Sequence, residues 1–553
     1  MDLLMADRYA LAAGPDDCLL CARARLSEMD GFHLRSSSTR RRAVDAEAEH
    51  PFFRAFLDAF ASPPRDAGYV AVGRHDVGVR HGDVVCRAHC PHADAAPPAS
   101  VGAAAPDPAG YRARDLATSF GEGRRESDLC NPVTGVLSAD LSPDLGSLVT
   151  SKVSGFVVQH GDHGAFVRAW GGHCDSYARS AQVGLAEGIE RVCCAEPDPD
   201  DVVSDVPEGV RLVQPADFGL DPASWRIPHP VITAWTCGVD LVDGSAAAVP
   251  TRTVHYEARV ADPVYVQDSS SGCAVGGDDD EARLFGLLEV VERDAFLLAW
   301  HGDLPLRDID PDSIRDEESL AYLRRLRLVG RRVRFVDATV GVEVPTVIAI
   351  CDTASGGTCL GAGSHPDPER ALRGALVEVA SDFTVIEDRA AQRRPELVAM
   401  LADPGLVRAV EDHADLYGLA EARPRLTRWA RGDAGDPCAG RPADDRPPIG
   451  LADLRRDARA GEDVATDLRI VVAAAARAGV RPIAVDVGSA LSRRHLLACA
   501  KVVVPGLLPL DFGWADQRAL RMPRLADRCR AWLVEQRMDP TSLRLHLQPH
   551  PFP

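Results

Sequence analysis

Two segments of the chain carry the same arrangement of acidic residues: two glutamates three positions apart, with an arginine directly after the second. The residues are Glu187, Glu190 and Arg191 in the first segment and Glu289, Glu292 and Arg293 in the second. Positions three apart lie on one face of a helix, so two such helices facing each other would present four carboxylates to one cleft. Because an enclosed, unpaired carboxylate costs several kcal/mol, such a cleft needs cations. The repeat therefore predicts a site for divalent metal ions of the kind that bridge nucleotide phosphates.

The surroundings of each pair bear on a second interpretation, an exposed helix face with ordinary Glu–Arg pairs, which is the commoner meaning of such spacing. Between Glu281 and Trp300, apolar residues occupy nearly every face, which indicates an enclosed helix around Glu289. The helix around Glu187 is more amphipathic, and taken alone it fits either interpretation. The recurrence of the pattern favours the metal site for both.

The glycine motifs usual in nucleotide-binding proteins are missing, since the chain has no GxxxxGK[ST] and no GxGxxG after a strand. Two other glycine stretches, 171–176 and 361–365, precede predicted helices. Each would offer backbone NH groups to phosphate at a helix start. Each also has the composition of any tight turn into a helix, so both alternatives stay open.

Strand-like and helix-like stretches alternate from about Leu129 onward. Strands are predicted at 155–159, 231–235, 333–336, 346–350, 482–487 and 502–504, and helices around 178–194, 281–300, 316–327, 368–386 and 463–478. This predicts an α/β (α+β) fold, with mixed sheets and helices packed on them. The two glutamate segments are too far apart for a solenoid, so they predict two pseudo-related halves of one domain. We place this domain at 128–553, after an N-terminal module at 1–110 that ends in a stretch rich in alanine, proline and glycine.

Composition excludes several classes of protein. The formal net charge of −20 disfavours nucleic acid and anionic membranes as partners. No apolar run is long enough to cross a bilayer, and the start of the chain lacks a basic segment before a hydrophobic one, which predicts a cytoplasmic protein. The 15 cysteines suit reduced thiols better than a disulfide framework.

Four cysteines in the first hundred residues are candidate ligands of a structural zinc ion. They form a CxxC pair, Cys18 and Cys21, and a looser CxxxC pair, Cys86 and Cys90. Free thiols are an equally good interpretation. At the other end of the chain, Pro549, Pro551 and Pro553 favour an extended arm, because proline cannot continue a helix or an interior strand. A frayed tail is the usual fate of a terminus, but the prolines lower the entropy cost of a fixed position.

Taken together, these residues resemble the YcaO family of ATP-dependent enzymes that modify peptide backbones, and specifically its azoline-forming cyclodehydratases. The resemblance runs from about Leu129 to Pro553. It rests on the two glutamate segments, Glu281-Ala282, the stretch 361–368 followed by Glu378, the stretch 503–506 and the terminal prolines. The cysteine pairs and the stretch 131–135 resemble the region before this domain in bacterial thiazole/oxazole peptide synthetases, a zinc-binding remnant of a ubiquitin-activating-enzyme-like fold.

The resemblance implies a set of roles for individual residues. Metal ligands for Mg²⁺ on ATP would be Glu187, Glu190, Glu281, Glu289 and Glu292, while Ser176, Arg293 and Glu378 would lie near the nucleotide. The implied reaction begins when a Cys, Ser or Thr side chain of a ribosomally made precursor peptide attacks the preceding backbone carbonyl. Phosphorylation of the oxygen by ATP and loss of phosphate then leave a thiazoline or oxazoline ring. The carboxylate of Pro553 would reach the site and assist proton transfer.

Implied partners are the precursor peptide, of thiopeptide type among other classes, and a separate leader-peptide-binding protein. A flavin-dependent azoline dehydrogenase would act downstream, and a second copy would complete a homodimer. Two departures from the family pattern bear on activity. Gly172-His173-Cys174 stands where Gly-Lys-Gly is frequent, and Ser381 and Phe383 stand where Gln and Arg commonly follow the third-region glutamate. Thioamide or amidine formation, and a scaffold without catalysis, therefore remain alternatives.

Overall fold

The computed structural model describes most of the chain after residue 110 and short stretches before it. The described residues are 2–5, 9–13, 18, 20–26, 69–73, 79–82, 84, 111–120, 126–138, 140–161, 164–221, 227–256, 258–267, 269–431 and 446–552. Three residues of the predicted sites, Cys86, Cys90 and Pro553, lie outside these ranges. None of the helices in the described ranges is both long enough and apolar enough to span a membrane.

Within the described ranges, the strands form four sheets. The strands are β1 (Asp2–Met5), β2 (Tyr9–Ala13), β3 (Tyr69–Gly73), β4 (Val79–Gly82), β5 (Ser142–Pro143), β6 (Val153–Gly161), β7 (Gly164–Gly172), β8 (Val202–Val203), β9 (Arg211–Leu212), β10 (Trp235–Asp240), β11 (Ala246–Pro250), β12 (Cys273–Gly276), β13 (Arg307–Asp308), β14 (Val333–Asp337), β15 (Thr346–Asp352), β16 (Thr358–Ser364), β17 (Ile483–Asp486) and β18 (Ala498–Val503). The largest sheet has the order β12-β18-β17-β10-β11-β9, with β8 also paired to β10. Its pairs are antiparallel except β9 with β11. The others are the antiparallel sheets β1-β2-β3-β4, β5-β6-β7 and β13-β14-β15-β16.

The longer helices pack on these sheets. They are α1 (Tyr177–Cys193), α2 (Asp279–Gly302), α3 (Glu317–Leu328), α4 (Pro368–Gln392), α5 (Arg394–Ala402), α6 (Val410–Tyr417), α7 (Val464–Arg477) and α8 (Pro523–Glu535). Short helices occupy Leu116–Ser119, Glu126–Leu129, Thr251–Val254 and Ala490–Arg494, and residues 20–26 are also helical.

A recurring unit links sheets and helices. The hairpin β6–β7 leads into α1, and the hairpin β15–β16 leads into α4, with each helix packed on its own hairpin. Helix α2 likewise follows β12, the edge strand of the largest sheet. The mixed α/β fold predicted from the sequence is confirmed.

The strand predicted at 231–235 is wrong for most of its length, because β10 begins only at Trp235. Val231 is 75% exposed. The backbone NH groups of Thr233 and Ala234 bind the carboxylate of Asp262 at 2.8 and 3.2 Å instead of a neighbouring strand. Because these two NH groups bind the Asp262 side chain, they are not available to pair with a neighbouring strand.

Helix α2 is the central element of the fold. Its first turn is capped by Asp278, whose carboxylate accepts the Glu281 NH, and three acidic residues in that turn suit the positive end of the helix dipole. Its second half is almost wholly buried and includes Trp300, which has no exposed surface. Asp294 is buried too, paired with Arg524 at 2.6 Å. The enclosed helix predicted from the apolar pattern is therefore present.

The segment between the predicted N-terminal module and the predicted main domain is held by the domain. Tyr111 donates its hydroxyl hydrogen to Asp467 at 2.7 Å, and the Tyr111 hydroxyl lies 2.8 Å from His365 Nε2. Arg112 pairs with Glu281 at 2.9 Å. In the module, a small core on the sheet β1–β4 includes Leu11, Leu26, Tyr69 and Val84, together with Val133 of the main domain.

Candidate functional site

In each of three helices, one glutamate accepts a hydrogen bond from a backbone NH of the chain segment that precedes the helix. The Gly171 NH donates to Glu187 at 3.0 Å, the Gly272 NH to Glu289 at 2.9 Å and the Ala362 NH to Glu378 at 2.9 Å. Donor and acceptor are 16, 17 and 16 residues apart along the chain. We call Glu187, Glu289 and Glu378 the latch glutamates. They fix the orientation of α1, α2 and α4 against the strands that precede them.

In two of the three helices, an arginine one turn later neutralises the latch glutamate. Arg191 lies 2.7 Å from Glu187, and Arg293 donates to Glu289 at 2.5 and 3.0 Å. These two arginines are therefore committed to their own helices. On α4 the equivalent position is Asp382, an acid, which pairs with Lys152 at 3.3 Å.

Three carboxylates of the described residues, the latch glutamate Glu378 and two others, lack such an ion pair. Within the described part of the chain, Glu190, Glu292 and Glu378 form no ion pair with a basic residue. Burial raises the pKa of Glu190 and Glu378 well above the ordinary value and raises the pKa of Glu292 to about 7. We call these three residues the open carboxylates.

Mutual repulsion shows that the open carboxylates share one region. After burial, the carboxylate of Glu289 on α2 helps to raise the pKa of Glu190 on α1, and Glu292 helps to raise the pKa of Glu378 on α4. The Glu292 carboxylate also accepts the Ser364 NH at 3.0 Å, which joins α2 to the end of β16. Three helices from distant parts of the sequence thus bring their acidic groups together.

The chemistry of this cluster suits Mg²⁺ shared with phosphate. Its donors are hard carboxylate oxygens, and the charge of the open carboxylates is left for a cation from outside the protein. No three His, Cys, Asp or Glu side chains among the described residues lie close enough to hold a metal ion by themselves. Mg²⁺ commonly takes one or two carboxylates and fills its remaining positions with phosphate oxygens and water. The arrangement therefore fits ions bridged to a nucleotide better than a closed protein cage.

Two other predicted site residues have local roles. Glu281 is 1% exposed, and its carboxylate accepts from Arg112, the Ala113 NH and the Gly277 NH at 2.9, 3.1 and 3.2 Å. It is saturated by protein donors, so these contacts give no support to its predicted role as a metal ligand. Ser176 is exposed and caps α1 by accepting the Arg179 NH at 3.4 Å.

The C-terminal segment runs through the core toward the same helix α2. Its backbone carbonyls accept from Trp300, Tyr417 and His413 at 3.2, 2.6 and 2.9 Å. Phe552 is 2% exposed, packs edge-on against Phe296 and lies under the guanidinium of Arg293, 4.8 Å from it. Phe552, the last described residue, therefore contacts Arg293, which lies one helical turn after Glu289. The predicted functional end, Pro553, follows it directly in the sequence and lies outside the described residues.

Buried histidines hold this segment in place. His413 accepts the Gly513 NH at Nε2, so its Nδ1 carries the hydrogen that binds the His550 carbonyl. The His301 ring faces the His546 carbonyl at 3.0 Å. Burial lowers the pKa of His301 and of His413 to about 4, so both rings are neutral at neutral pH.

The two departures from the family pattern differ in their surroundings. Ser381 and Phe383 are core positions, 5% and 3% exposed, and Arg331 lies over the Phe383 ring at 5.5 Å. His173 stands in the turn between β7 and α1, where burial lowers its pKa. Its Nδ1 is buried without a hydrogen-bond partner among the described residues.

Sequence reasoning missed a group of thiols beside Glu190. Cys193 and Cys194 end α1, and Cys273 and Cys499 lie on β12 and β18, all buried. The Lys501 ammonium lies 3.8 Å from Cys273 Sγ. Burial raises the pKa of Cys273, but the contacts with Cys194 and Lys501 outweigh it and lower the pKa to about 7. No local signature marks these residues, because three separate elements, α1, β12 and β18, supply the cysteines and the lysine.

Zinc has no support in the structure. Of the predicted ligands, Cys21 is buried at the start of the helical stretch 20–26, and Cys18 packs against the same small core. Cys86 and Cys90 lie outside the described residues. Among the described residues, no group of three or more His, Cys, Asp or Glu side chains that could hold a metal ion includes Cys18 or Cys21.

The fold is shared with proteins described as heterocyclases. A heterocyclase solved in complex with substrate and cofactor matches with a TM-score of 0.66 at 18% identity, over 98% of this chain and 76% of that one. The heterocyclase TruD matches with a TM-score of 0.56 at 19% identity, over 98% and 74% of the two chains. At these identities the likeness establishes the fold alone.

The sequence itself identifies the family. Residues 171–508 match the family described as YcaO cyclodehydratase, ATP- and Mg²⁺-binding. The chain therefore belongs to the YcaO family, and the predicted resemblance is confirmed. An uncharacterized protein from the tfuA 3′ region of Rhizobium leguminosarum bv. trifolii is 31% identical over 201 residues, which are 34% of this chain and 48% of that protein. The chain spans about half the length of the curated relatives it matches.

Proposed function

We propose that the chain is an ATP- and Mg²⁺-dependent cyclodehydratase that converts Cys, Ser or Thr residues of a ribosomally made precursor peptide to thiazoline or oxazoline. The observation that carries this proposal is the set of open carboxylates, Glu190, Glu292 and Glu378, gathered from three helices. Among the described residues, none of the three forms an ion pair with a basic residue, since Arg191 and Arg293 are bound to Glu187 and Glu289 and favour the charged form of the open carboxylates only through space. A protein that only needed a stable core would gain by replacing them with apolar residues.

In this proposal, the open carboxylates would hold Mg²⁺ against the phosphates of ATP. The metal would supply neutralisation of the charge on the transferred phosphoryl group. The latch glutamates keep the three helices at fixed angles, so the open carboxylates need no rearrangement when nucleotide arrives. Phosphorylation turns the former carbonyl oxygen of the peptide into a good leaving group.

The terminal segment supports a role in proton transfer. Its path through the core ends with Phe552 against Arg293 on the helix that carries two of the cluster's glutamates. A carboxylate at Pro553 would then be close to the reacting peptide. We propose that it accepts the proton released when the side chain attacks the carbonyl. The buried histidines that hold the segment make its position reproducible.

The likeness to other heterocyclases supports the substrate class. One neighbour is described as a heterocyclase in complex with substrate and cofactor, and this chain shares its fold over nearly its whole length. We propose a peptide substrate for this chain as well, delivered by a separate leader-peptide-binding protein. A flavin-dependent azoline dehydrogenase acting later, and a homodimeric assembly, complete the proposal.

A scaffold that has lost catalysis is the second candidate, and one observation favours it. Ser381 and Phe383 are packed into the core, so α4 offers neither the amide nor the guanidinium that resemblance would lead us to expect there. Such a scaffold would bind no nucleotide. Thioamide or amidine formation within the family would instead keep nucleotide binding and change the mass of the product.

Two measurements test these alternatives. Calorimetry with Mg²⁺ and a non-hydrolysable ATP analogue should show binding to the wild-type chain, and absence of binding would support the scaffold. The chain should then be incubated with a leader-binding protein, precursor peptide, ATP and Mg²⁺. We expect the peptide to lose the mass of one water per ring, and the Glu292→Gln variant to leave it unchanged. Exchange of oxygen for sulfur would instead support thioamide formation.

A further inference from the structure

The two lysines of the chain have an unusual distribution. Of the 62 lysine and arginine residues, only Lys152 and Lys501 are lysines. Lys152 pairs with Asp382, one turn after Glu378, and Lys501 contacts Cys273, which lies beside Glu190. Lysine carries a compact, strongly hydrated charge, whereas arginine carries a planar fork. All other lysine or arginine positions of the chain hold arginine. The presence of both lysines beside the cluster indicates that these two positions need an ammonium group.

Lys501 has a complete structural role. It is 3% exposed and donates to the Ser269 and Ser271 carbonyls at 2.8 and 2.7 Å, besides its contact with Cys273. An ammonium group has three donors, so all of them are used. Lys501 thereby holds the turn that ends at Gly272, whose NH binds the latch glutamate Glu289.

Lys152 has donors to spare. Within the described residues, Asp382 is its one hydrogen-bond partner, at 3.3 Å, and the lysine side chain is 22% exposed. Two of its three donors are therefore directed elsewhere. Asp382 stands four residues after Glu378, where α1 and α2 carry the arginines that bind Glu187 and Glu289. The cation that pairs with Asp382 on α4 is therefore Lys152, which lies outside that helix. Its ammonium group keeps donors that bind no group among the described residues.

The position of Lys152 brings it to the start of α1. It directly precedes β6, whose first residue Val153 pairs with Gly172, and the Ser151 NH donates to the Cys174 carbonyl at 2.8 Å. Lys152 therefore lies opposite His173 at the open end of the hairpin. Burial lowers the pKa of His173, the carboxylates of Asp382 and Glu187 raise it, and the charge of Lys152 lowers it. The unpartnered Nδ1 of His173 is at the same place.

We propose that Lys152, with His173 beside it, binds a phosphate group of the nucleoside triphosphate, and that Asp382 positions the lysine for this contact. The proposal rests on the ATP-dependent function proposed above. Three features of this corner favour an anion: an ammonium with unused donors, an imidazole nitrogen without a partner, and the positive end of the α1 dipole. The competing explanation is that Lys152 serves only to neutralise Asp382.

The scarcity of lysine gives a direct test by chemical labelling. An amine-reactive acetylating reagent should modify Lys152 far faster than Lys501, because the two differ so much in exposure. We expect Mg²⁺ with a non-hydrolysable ATP analogue to slow acetylation of Lys152 about tenfold or more, as read by peptide mass spectrometry, while AMP leaves the rate unchanged. Unchanged acetylation of Lys152 in a chain that calorimetry shows to be saturated with the analogue would overturn the proposal.

Variants separate phosphate binding from neutralisation of Asp382. Lys152→Met keeps the alkyl stem and removes the charge, and it should raise the Kd of the analogue about 10- to 100-fold, the loss of one charge-assisted hydrogen bond. Lys152→Arg should recover part of this loss. Arg283→Met, which removes a cation paired with Asp279 and Asp280 at the far end of α2, serves as a matched control and should leave Kd unchanged.

The double variant Lys152→Met with Asp382→Asn decides between the two explanations. If Lys152 binds phosphate, the double variant stays as weak as Lys152→Met alone. If Lys152 only neutralises Asp382, removing both charges restores the wild-type Kd, and the proposal is overturned. A wild-type chain that binds no nucleotide would refute the proposed function itself, and that result differs from wild-type binding with an unaffected Lys152 variant.

Discussion

Replacing Glu292 with glutamine should stabilise the nucleotide-free protein and abolish its response to Mg²⁺ and ATP. Burial, with a further contribution from the charge of Glu289, raises the pKa of Glu292 from 4.5 to about 7. Since one pKa unit corresponds to about 1.4 kcal/mol, keeping this carboxylate ionised in the folded protein costs about 3 kcal/mol at pH 8. Glutamine has the same shape, can accept the Ser364 NH and carries no charge to bury.

The sign of the pH dependence follows from the direction of this shift. Because the pKa is raised by folding, the unfolded chain loses this proton at a lower pH than the folded protein does. The favourable contribution of Glu292 to folding is therefore fully present below pH 4.5 and is lost as the pH rises through 7. The variant should exceed the wild type in unfolding free energy by about 2 kcal/mol at pH 6 and about 3 kcal/mol at pH 8, with little further change above pH 8.

Urea denaturation from pH 6 to pH 9, with and without Mg²⁺ and a non-hydrolysable ATP analogue, measures both effects. The wild type should gain stability with Mg²⁺ and analogue, and Glu292→Gln should not. Glu281→Gln is the matched control, since Glu281 is buried but paired with Arg112, so this change should destabilise the protein at every pH. A Glu292→Gln variant that is less stable than the wild type at pH 8 would mean that the Glu292 charge is already compensated by protein groups.

Three further predictions concern the surroundings of the cluster. Asp294→Asn should lower the unfolding free energy by about 3 to 5 kcal/mol in urea denaturation, because it leaves the Arg524 charge without its buried partner; a loss under 1 kcal/mol would contradict this. Phe552→Ala should reduce ring formation about 100-fold by misplacing the chain end, yet leave the Kd of the ATP analogue unchanged; equal loss of both would show a general defect. His301 and His413 have pKa values lowered to about 4, so the stability they confer is complete above pH 6.5 and is lost as the pH falls toward 4. The protection of amides in residues 546–552 against hydrogen exchange, relative to the intrinsic rate at each pH, should fall over that interval, and constant protection would refute the assignment of neutral rings.

The parts of the structure that local patterns encode could be predicted from the sequence. The apolar run around Glu289 predicted the enclosed helix, and the strand-like runs at 333–336, 346–350 and 482–487 predicted β14, β15 and β17. The predicted strand at 231–235 failed because its NH groups bind Asp262, which is distant in sequence. The role of Glu281 as a metal ligand stays a prediction from the resemblance, and nothing in the local sequence reveals Arg112, its partner 169 residues away.

The third member of the cluster was harder to recognise for a related reason. Glu187 and Glu289 stand out because an arginine follows one turn later, but Glu378 is followed by Asp382, so the pattern that identified the first two does not occur there. The equivalence of the three becomes visible only through the backbone NH that each accepts. Similarly, resemblance alone suggested Glu378 as a nucleotide neighbour, without indicating that its charge is uncompensated.

The geometry assigns separate tasks to the residues of the repeated pattern. The first glutamate accepts a backbone NH and is neutralised by the arginine four residues later, so these two residues build the helix–strand junction. Among the described residues, the second glutamate, three residues after the first, forms no ion pair with a basic residue, and its pKa or that of a glutamate on another helix is raised by their mutual repulsion. One short pattern therefore encodes both a rigid support and an uncompensated charge. In α4 the support persists without its arginine, so Glu378 is at once a latch glutamate and an open carboxylate. The cation that pairs with Asp382, one turn after Glu378, is Lys152, which directly precedes β6 and has further donors for the proposed phosphate contact.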